Sequence, residues 1–214
     1  RDGAADRPAG GAPGFTRKAM SRLGASHLHP PRAVLFDMDG TLTVPLLDFP
    51  RIKRDMGIGP GPILESLLEL DERQRARAME VLHAHERRAA EDSTLMPGCR
   101  DLLGDLHRRR IAIALITRNS RQSVRTVFDR HGIHFDVVIT RDDAAPKPSP
   151  EPIEAALSRL KLGALPKHET WMVGDGYHDI ESALAAGVSG VWVSHGMTRD
   201  FTATPAHEVQ DLLE

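Results

Sequence analysis

The sequence predicts an α/β fold in which helices cover both faces of a parallel sheet. Five short apolar runs, rich in β-branched residues, are typical of strands that are buried on both sides. Helical patterns separate most of these runs, and alternation of strands and helices favours a doubly wound parallel sheet. Glycines follow three of the helical patterns, at the point where a left-handed residue commonly ends a helix.

The elements follow one another along the chain in this order. The predicted strands are residues 33–36, 111–116, 137–139, 171–173 and 191–193. The helical patterns that separate or follow the later strands are residues 99–109, 120–131, 150–162 and 179–186. The last three patterns stop at Gly132, Gly163 and Gly187. We expect each of these glycines to adopt a positive φ angle.

One long segment interrupts the alternation directly after the first strand. Residues 44–95 contain no strand pattern, whereas residues 60–70 and 72–88 repeat apolar side chains at helical spacing. An insert of about fifty residues is too small for a domain with a large core of its own. We therefore expect a short helical cap at 44–95 and a sheet domain formed by 32–43 and 96–214. An ordinary helical connection is the alternative.

Composition excludes several classes of function. The 214 residues carry a formal net charge of −2, so the chain lacks the basic excess of a nucleic-acid-binding protein. The single cysteine, Cys99, excludes an intramolecular disulfide framework and fits a reducing compartment. Apolar runs fall short of the ~20 residues needed to cross a bilayer. We expect a cytoplasmic protein with neither a nucleic-acid nor a membrane partner; composition leaves the oligomeric state open.

Residues 1–31 differ from the rest of the chain. They are rich in glycine and proline and show almost no apolar periodicity. Such a segment buries too little apolar surface to offset the entropy of ordering it, so we predict a disordered tail. It also lacks the apolar centre of a secretory signal. Its arginines leave organelle targeting as a minor alternative.

Two carboxylates mark the end of the first predicted strand. Asp37 and Asp39 lie in D-M-D-G-T, and in open α/β sheets ligands bind at the carboxyl ends of strands. Residues two apart on an extended segment point to the same side, where paired carboxylates repel unless a cation or proton intervenes. A calcium-binding EF-hand loop is excluded, because its sixth position requires glycine and is Leu42 here. Alone, the motif is also compatible with a polar turn.

Polar residues also follow the later strands. Thr117, Arg118 and Asn119 end the second strand and precede a helix, a place where hydroxyl and backbone N–H groups bind anions. Lys147 lies between two prolines, which stiffen the loop and fix the direction of its side chain. Asp175 follows the fourth strand, and Asp179 is either a further acidic group of the site or the N-cap of the next helix.

Together these residues indicate a site for a phosphoryl group and a hard cation. Carboxylate oxygens are the ligands that Mg²⁺ prefers, and hydroxyl, amide and ammonium groups bind phosphoryl oxygens. Arg118 either reaches the leaving group or forms a structural ion pair. In the predicted cap, the cations near Lys53 and the glycine-rich loop 57–62 lie near the expected mouth of the site. Either could contact substrate, and solvated charges and a simple turn are the alternatives.

The motifs D-x-D-G-T-L, T-x-N, K-P and G-D-x-x-x-D, in this order, resemble those of the haloacid dehalogenase superfamily, in particular its phosphoglycolate-phosphatase-like members with a short helical cap. The resemblance covers residue 32 to about residue 195. It implies a Rossmann-like sheet with the strand order 5-4-1-2-3. It also implies that Asp37 is the nucleophile, that Asp39 is the general acid and base, and that the backbone carbonyl of Asp39 contributes to a Mg²⁺ site.

The resemblance implies roles for the other motif residues as well. Thr117 and Lys147 would hold the phosphoryl oxygens, Asp175 would bind the metal, and Asp179 would support the waters of the metal. Because Asp39 is present, the resemblance favours a Mg²⁺-dependent phosphatase of a small phosphorylated metabolite, such as a phosphoglycolate-like ester or a sugar or nucleotide monophosphate. A phosphomutase or phosphotransferase of the same superfamily and a non-catalytic regulatory protein are the alternatives.

Overall fold

The computed structural model describes residues 30–199 and 202–214. Its strands are β1 (Ala33–Phe36), β2 (Ala112–Ile116), β3 (Val137–Ile139), β4 (Thr170–Gly174), β5 (Ser189–Val193) and β6 (His207–Val209). Its helices are α1 (Phe49–Met56), α2 (Ile63–Leu68), α3 (Glu72–Asp92), α4 (Cys99–Arg108), α5 (Arg121–His131), α6 (Glu151–Arg159) and α7 (Tyr177–Ala186). A 3-10 turn, Lys167–Glu169, precedes β4.

The strands form one parallel sheet in the order β3-β2-β1-β4-β5-β6. The predicted doubly wound sheet is therefore confirmed, and the order 5-4-1-2-3 is the same order read from the opposite edge. The sequence missed β6, because its three residues, His-Glu-Val, contain no apolar run. All but the end of the predicted tail, residues 1–31, lies outside the described residues.

The core lies on both faces of β1. Val34 and Phe36 pack on one face with side chains from α4 and α5, and Ala33 and Leu35 pack on the other with side chains from α6 and α7. Successive side chains of a strand point to opposite faces, so a strand between two helical layers must be apolar at every position. This burial explains why β1 appears in the sequence as an unbroken apolar run.

The structure confirms two of the three glycine predictions. Gly132 and Gly187 have φ angles of 59° and 74° at the ends of α5 and α7. The prediction for Gly163 was wrong, because α6 already ends at Arg159 and the residue with positive φ is Lys161, at 60°. Because the expectation of a positive φ rested on glycine, the sequence could not indicate that Lys161 adopts this conformation.

The insert after β1 contains α1, α2 and α3, which share a small apolar core of their own. The buried side chains of that core are Ile52, Ile63, Leu67, Ala78 and Leu82. The sequence did not identify α1 as a helix. Within residues 30–199 and 202–214, every helix is too short or too polar to cross a bilayer.

A buried ion pair fixes α3 to the sheet domain. Glu86 of α3 accepts hydrogen bonds from the guanidinium of Arg141, and the two side chains are only 3% and 6% exposed. Glu86 also accepts from the backbone N–H of Ser120, at 3.4 Å. Breaking a buried pair leaves an uncompensated charge, so α3 is held firmly against the domain beneath it.

Replacing Asp143 with asparagine is expected to weaken the fold in a pH-dependent way. The Asp143 carboxylate accepts bonds from the Thr140 N–H and hydroxyl at 2.9 and 2.8 Å, and it pairs with Arg121 and Arg159. Burial alone would raise the pKa of Asp143, but these bonds outweigh it and hold the pKa well below its usual range. Its stabilisation is therefore present above pH ~4 and fades as the pH falls through the depressed pKa.

We expect Asp143→Asn to lower the free energy of unfolding at pH 7 by about 1–3 kcal/mol. Urea unfolding followed between pH 7 and pH 3 measures this loss, which should shrink below about pH 4. Asp129→Asn, at an exposed position of α5, is the matched control and should change little. A loss that stays constant over the whole pH range would contradict the assignment.

Candidate active site

The carboxyl ends of the strands meet in one cavity of about 660 Å³ between the sheet domain and the insert. Asp37 follows β1, Thr117 follows β2, Lys147 lies in the loop after β3, and Asp175 follows β4. All the site residues predicted from the sequence line this cavity: Asp37, Asp39, Thr117, Arg118, Asn119, Lys147, Asp175 and Asp179. Residues up to 142 positions apart in the sequence are thus gathered at one edge of the sheet.

Three carboxylates form an acidic cluster on the floor of the cavity. One oxygen each of Asp37, Asp175 and Asp179 lies within 4.8 Å of the others. Glycines make this approach possible: a Cβ atom on Gly40, which has a φ of +85°, would lie 2.5 Å from Oδ2 of Asp175, and one on Gly174 would lie 2.2 Å from Asp179. The two glycines are therefore required by the cluster itself.

Asp179 is the third residue of α7, and the N-cap of that helix is Gly176. The alternative that Asp179 is the N-cap was therefore wrong. Its Oδ2 accepts a hydrogen bond from the Gly176 N–H at 3.0 Å, which leaves Oδ1 facing the cluster and Lys147.

The ammonium group of Lys147 lies between two carboxylates of the acidic cluster, those of Asp37 and Asp179. Its ammonium group is 2% exposed and donates to Asp37 Oδ1 at 2.5 Å, to Asp179 Oδ1 at 2.6 Å and to the carbonyl of Ile116 at 2.8 Å. An ammonium has three N–H donors, so all are used. Burial would lower the pKa of Lys147, but the two carboxylates outweigh that effect and raise it, so the group stays charged.

One lysine does not neutralise the three acidic side chains of the cluster. Burial raises the pKa of Asp37 well above its usual range despite the opposing charge of Lys147, and the nearby Asp179 and Asp175 raise it further. Burial, with the charge of Asp179, raises the pKa of Asp175 to about 6. The cluster therefore offers oxygen ligands at short range together with a deficit of positive charge. Both properties fit a hard divalent cation such as Mg²⁺.

Asp39 is held apart from the acidic cluster. Its Oδ2 accepts a hydrogen bond from the Asn119 amide, and its Oδ1 accepts one from the Thr43 hydroxyl at 3.2 Å. Burial raises the pKa of Asp39, although these two hydrogen bonds lower it. A carboxyl group with opposing influences of this kind is suited to releasing and taking up a proton.

Asn119 and Thr117 are connected to each other. The Asn119 N–H donates to Thr117 Oγ1 at 3.1 Å, which leaves the hydroxyl proton of Thr117 free to bond an anion in the cavity. In the structure the Asn119 amide donates to Asp39 Oδ2, and binding of a phosphoryl group by Asn119 stays a prediction.

Two residues that support the site were missed by the sequence analysis. His195 Nε2 bonds to the carbonyl of Gly40 at 2.6 Å, and Trp192 Nε1 donates to the carbonyl of Asp175 at 3.1 Å. Both lie at the carboxyl end of β5, which is the same edge that carries the motifs. That position in the fold is the signal that could have identified them.

The insert forms the roof of the cavity, to which it contributes mostly apolar side chains. These are Pro45, Leu47, Phe49, Pro62, Ile63, Leu64 and Leu82. Lys53 lines the cavity as well, as does Gly61 of the glycine-rich loop, whereas Arg51 and Arg54 are exposed. At the rim, the rings of Tyr177 and His178 lie 3.8 Å apart between centroids, and burial lowers the pKa of His178 to about 4, so this imidazole is neutral at pH 7.

Replacing Gly174 with alanine is expected to disrupt the acidic cluster. The new methyl group would overlap the Asp179 side chain, which is itself fixed by Lys147 and Gly176. We expect a loss of about 1–3 kcal/mol in the free energy of unfolding, as is usual for overpacking. Thermal unfolding measures the loss. Gly163→Ala, where a Cβ meets open space, is the control, and equal effects of the two changes would contradict this account of the cluster.

Comparison with known proteins places this chain in a family. The sequence profile of haloacid dehalogenase-like hydrolases matches residues 52–193. A phosphoglycolate phosphatase of Pseudomonas fluorescens is 30% identical over 193 residues, which cover 78% of this chain and 70% of that protein. The pyrophosphatase PpaX of Halalkalibacterium halodurans is 32% identical over 185 residues, which cover 77% of this chain and 84% of that protein. The crystal structure of a hydrolase from Pseudomonas syringae superimposes with a TM-score of 0.71 at 20% identity, covering 85% of this chain and 94% of the other.

Proposed function

Because the chain belongs to the haloacid dehalogenase-like hydrolase family, we propose that it is a Mg²⁺-dependent phosphatase of small phosphomonoesters that acts through a phosphorylated aspartate. The observation that carries the proposal is the acidic cluster, in which the buried Lys147 pairs with Asp37 and Asp179. Asp39 lies beside this cluster and is bound by Asn119 instead of Lys147. The likeness to a phosphoglycolate phosphatase supports a small phosphorylated substrate.

Asp37 is the nucleophile in this proposal. A carboxylate oxygen of Asp37 attacks the phosphorus atom, and the bond between phosphorus and the ester oxygen breaks. Asp39 gives its proton to the departing alkoxide, so that the alcohol leaves as a neutral molecule. The phosphoryl group is then held on Asp37 as an acyl phosphate.

Asp39 acts as a base in the second half of the reaction. Its carboxylate takes a proton from a water molecule, whose oxygen attacks the phosphorus atom. The bond between phosphorus and Asp37 breaks, which frees inorganic phosphate and returns both aspartates to their starting states. Asn119 and Thr43 hold the Asp39 carboxyl in one orientation through both halves.

The remaining motif residues bind and neutralise the phosphoryl group. The Thr117 hydroxyl offers a donor to its oxygens, and Lys147 offers one when a phosphoryl oxygen replaces one of its present acceptors. Mg²⁺, held by Asp37, Asp175, Asp179 and the Asp39 backbone carbonyl, would supply the positive charge that lets a carboxylate approach a phosphate dianion. This charge is needed because burial raises the pKa of Asp37 and so disfavours its anionic form.

We propose that residues 44–95 are the cap of this enzyme and that 32–43 with 96–214 form its catalytic domain. The insert covers the cavity with apolar side chains, which would limit the access of bulk water to the reacting groups. A cavity of about 660 Å³ accepts a metabolite such as a phosphoglycolate-like ester or a sugar or nucleotide monophosphate.

Phosphate release from 2-phosphoglycolate and from p-nitrophenyl phosphate tests the proposal. We expect turnover with Mg²⁺, loss of turnover in EDTA, and recovery when Mg²⁺ is added in excess. A rate that is insensitive to the chelator would contradict the metal dependence. Formation of an isomer in place of free phosphate from a sugar phosphate would identify a mutase instead.

A further inference from the structure

An ion pair joins the sheet domain to the insert at the cavity. The Nη2 atom of Arg118 donates to both carboxylate oxygens of Glu65, at 3.0 and 2.8 Å. Arg118 directly follows Thr117 at the end of β2, whereas Glu65 belongs to α2. The guanidinium also donates to the backbone carbonyl of Lys147, so it is fixed beside the loop that carries the phosphoryl-binding lysine.

Arg118 is the cation that is best placed to bind a second anion. Among the described residues, the positive side chains that line the cavity are Lys53, Arg118, Lys147 and Arg199. Lys147 lies at the acidic cluster, where it is proposed to bind the transferred phosphoryl group and not a second anion, and Arg199 is exposed. A guanidinium presents several N–H donors that match a carboxylate or phosphate, and Nη2 of Arg118 already contacts both carboxylate oxygens of Glu65.

The partner of Arg118 is weakly held. The Glu65 side chain is 42% exposed, and ion pairs with this much solvent access contribute little to stability. Helix α2 has only six residues, and its N-cap, Pro62, has no side-chain acceptor for the first N–H groups. Only two of its side chains, Ile63 and Leu67, are buried. The Glu86–Arg141 pair that fixes α3 is far more deeply buried. Exchange of Glu65 for another anion therefore costs little.

We propose that Arg118 selects phosphomonoesters that carry a second anionic group, a carboxylate or a further phosphate, and that this group replaces Glu65 on the guanidinium. The inference rests on the proposed function and specifies its substrate class. An uncharged leaving group leaves the Arg118–Glu65 pair intact and gains nothing from it. A second anion gains the Nη2 donors that now contact Glu65, next to the position where Lys147 is proposed to hold the phosphoryl group.

A matched pair of substrates tests this selection. 2-Phosphoglycolate and ethylene glycol monophosphate differ in one group, a carboxylate against an uncharged hydroxymethyl, and the measured quantity is the ratio of their kcat/KM values. We expect Arg118→Met to lower this ratio at least tenfold. We expect Glu65→Gln to raise it several-fold, mainly through a lower KM for phosphoglycolate, because the competing carboxylate is gone. Ethylene glycol bisphosphate, measured alongside, should lose at least tenfold in the same ratio in Arg118→Met if a second phosphate also replaces Glu65.

Glu69→Gln, an exposed change at the end of α2, is the control and should leave the ratio unchanged. A wild-type ratio near one, an equal loss of both activities in Arg118→Met, or an unchanged ratio in Glu65→Gln would each overturn the inference. Glu65→Gln also provides a test if Arg118→Met fails to fold, since it changes a partly exposed side chain without altering its shape. Failure of the proposed function has a different signature: wild-type protein with Mg²⁺ would release phosphate from neither substrate.

Discussion

Replacing Asp37 with asparagine is expected to lower kcat about a thousandfold or more, because an amide cannot form the acyl phosphate that the proposed mechanism requires. The change is almost isosteric, so substrate binding should be affected much less than turnover. Phosphate release from 2-phosphoglycolate with saturating Mg²⁺ measures the effect. A variant that keeps more than a tenth of the wild-type rate would show that Asp37 is not the nucleophile.

The stability of Asp37→Asn tests whether misfolding, and not the missing carboxylate, causes the loss of kcat. Burial raises the pKa of Asp37 in the folded state, so at pH 7 its negative charge opposes folding, and this penalty disappears at low pH. Removing the charge should therefore leave the thermal unfolding midpoint of the metal-free protein unchanged or higher. A clearly lower midpoint would mean that the bond from Lys147 to Asp37 outweighs the repulsion within the acidic cluster.

Replacing Lys147 with methionine is expected to damage both activity and stability. Methionine fills a similar volume but leaves Asp37 and Asp179 without their common positive partner. Breaking a buried ion pair typically costs about 3–5 kcal/mol, because a buried charge is left without compensation. We also expect kcat/KM to fall at least about a hundredfold, since the lysine is proposed to hold the phosphoryl oxygens.

Urea unfolding at pH 5 and pH 8 tests the electrostatic origin of this loss. Asp175 has a pKa of about 6 and becomes neutral at the lower pH, so the repulsion left by Lys147→Met should be smaller there. Lys167→Met, at an exposed position before β4, is the matched control and should have little effect at either pH. A loss of equal size at both pH values would contradict the electrostatic explanation.

The catalytic edge of the sheet could be predicted from the sequence, because strand and motif are local there. The apolar run of β1 is followed at once by Asp37 and Asp39, and parallel strands place their carboxyl ends at one edge. Once the strands were identified, the meeting of Asp37, Lys147 and Asp175 followed from topology. No knowledge of side-chain packing was needed for this step.

Contacts between the insert and the sheet domain could not be predicted in the same way. Glu86 occupies the middle of a charged helix, where a solvated side chain is the usual expectation, and it pairs with Arg141 fifty-five residues later. Arg118 was expected either to reach the leaving group or to form a structural ion pair, but no sequence pattern indicates that Glu65 is the partner. Such pairs depend on how two helical layers dock, which local periodicity does not encode.

Short elements without apolar runs were missed for a related reason. Helix α1 has one buried residue, Ile52, and is stabilised at its start by the Asp48 side chain, which accepts a bond from the Arg51 N–H at 3.0 Å. Strand β6 is fixed by pairing with β5 and not by its own composition. In both elements, tertiary contacts, the packing of Ile52 in α1 and the pairing with β5 in β6, supply what an apolar run would otherwise provide.

The phosphorylated aspartate can be trapped in a variant that forms it faster than it hydrolyses it. p-Nitrophenyl phosphate has a leaving group that needs little protonation, whereas attack by water still needs the base Asp39. Asp39→Asn should therefore accumulate the intermediate when it is mixed with this substrate and Mg²⁺ and quenched in acid. We predict that peptide mass spectrometry finds one phosphoryl group on the peptide that contains Asp37, and none when Asp37 is also replaced by asparagine. A phosphoryl group on any other residue, or turnover by a protein that is never phosphorylated, would contradict the account.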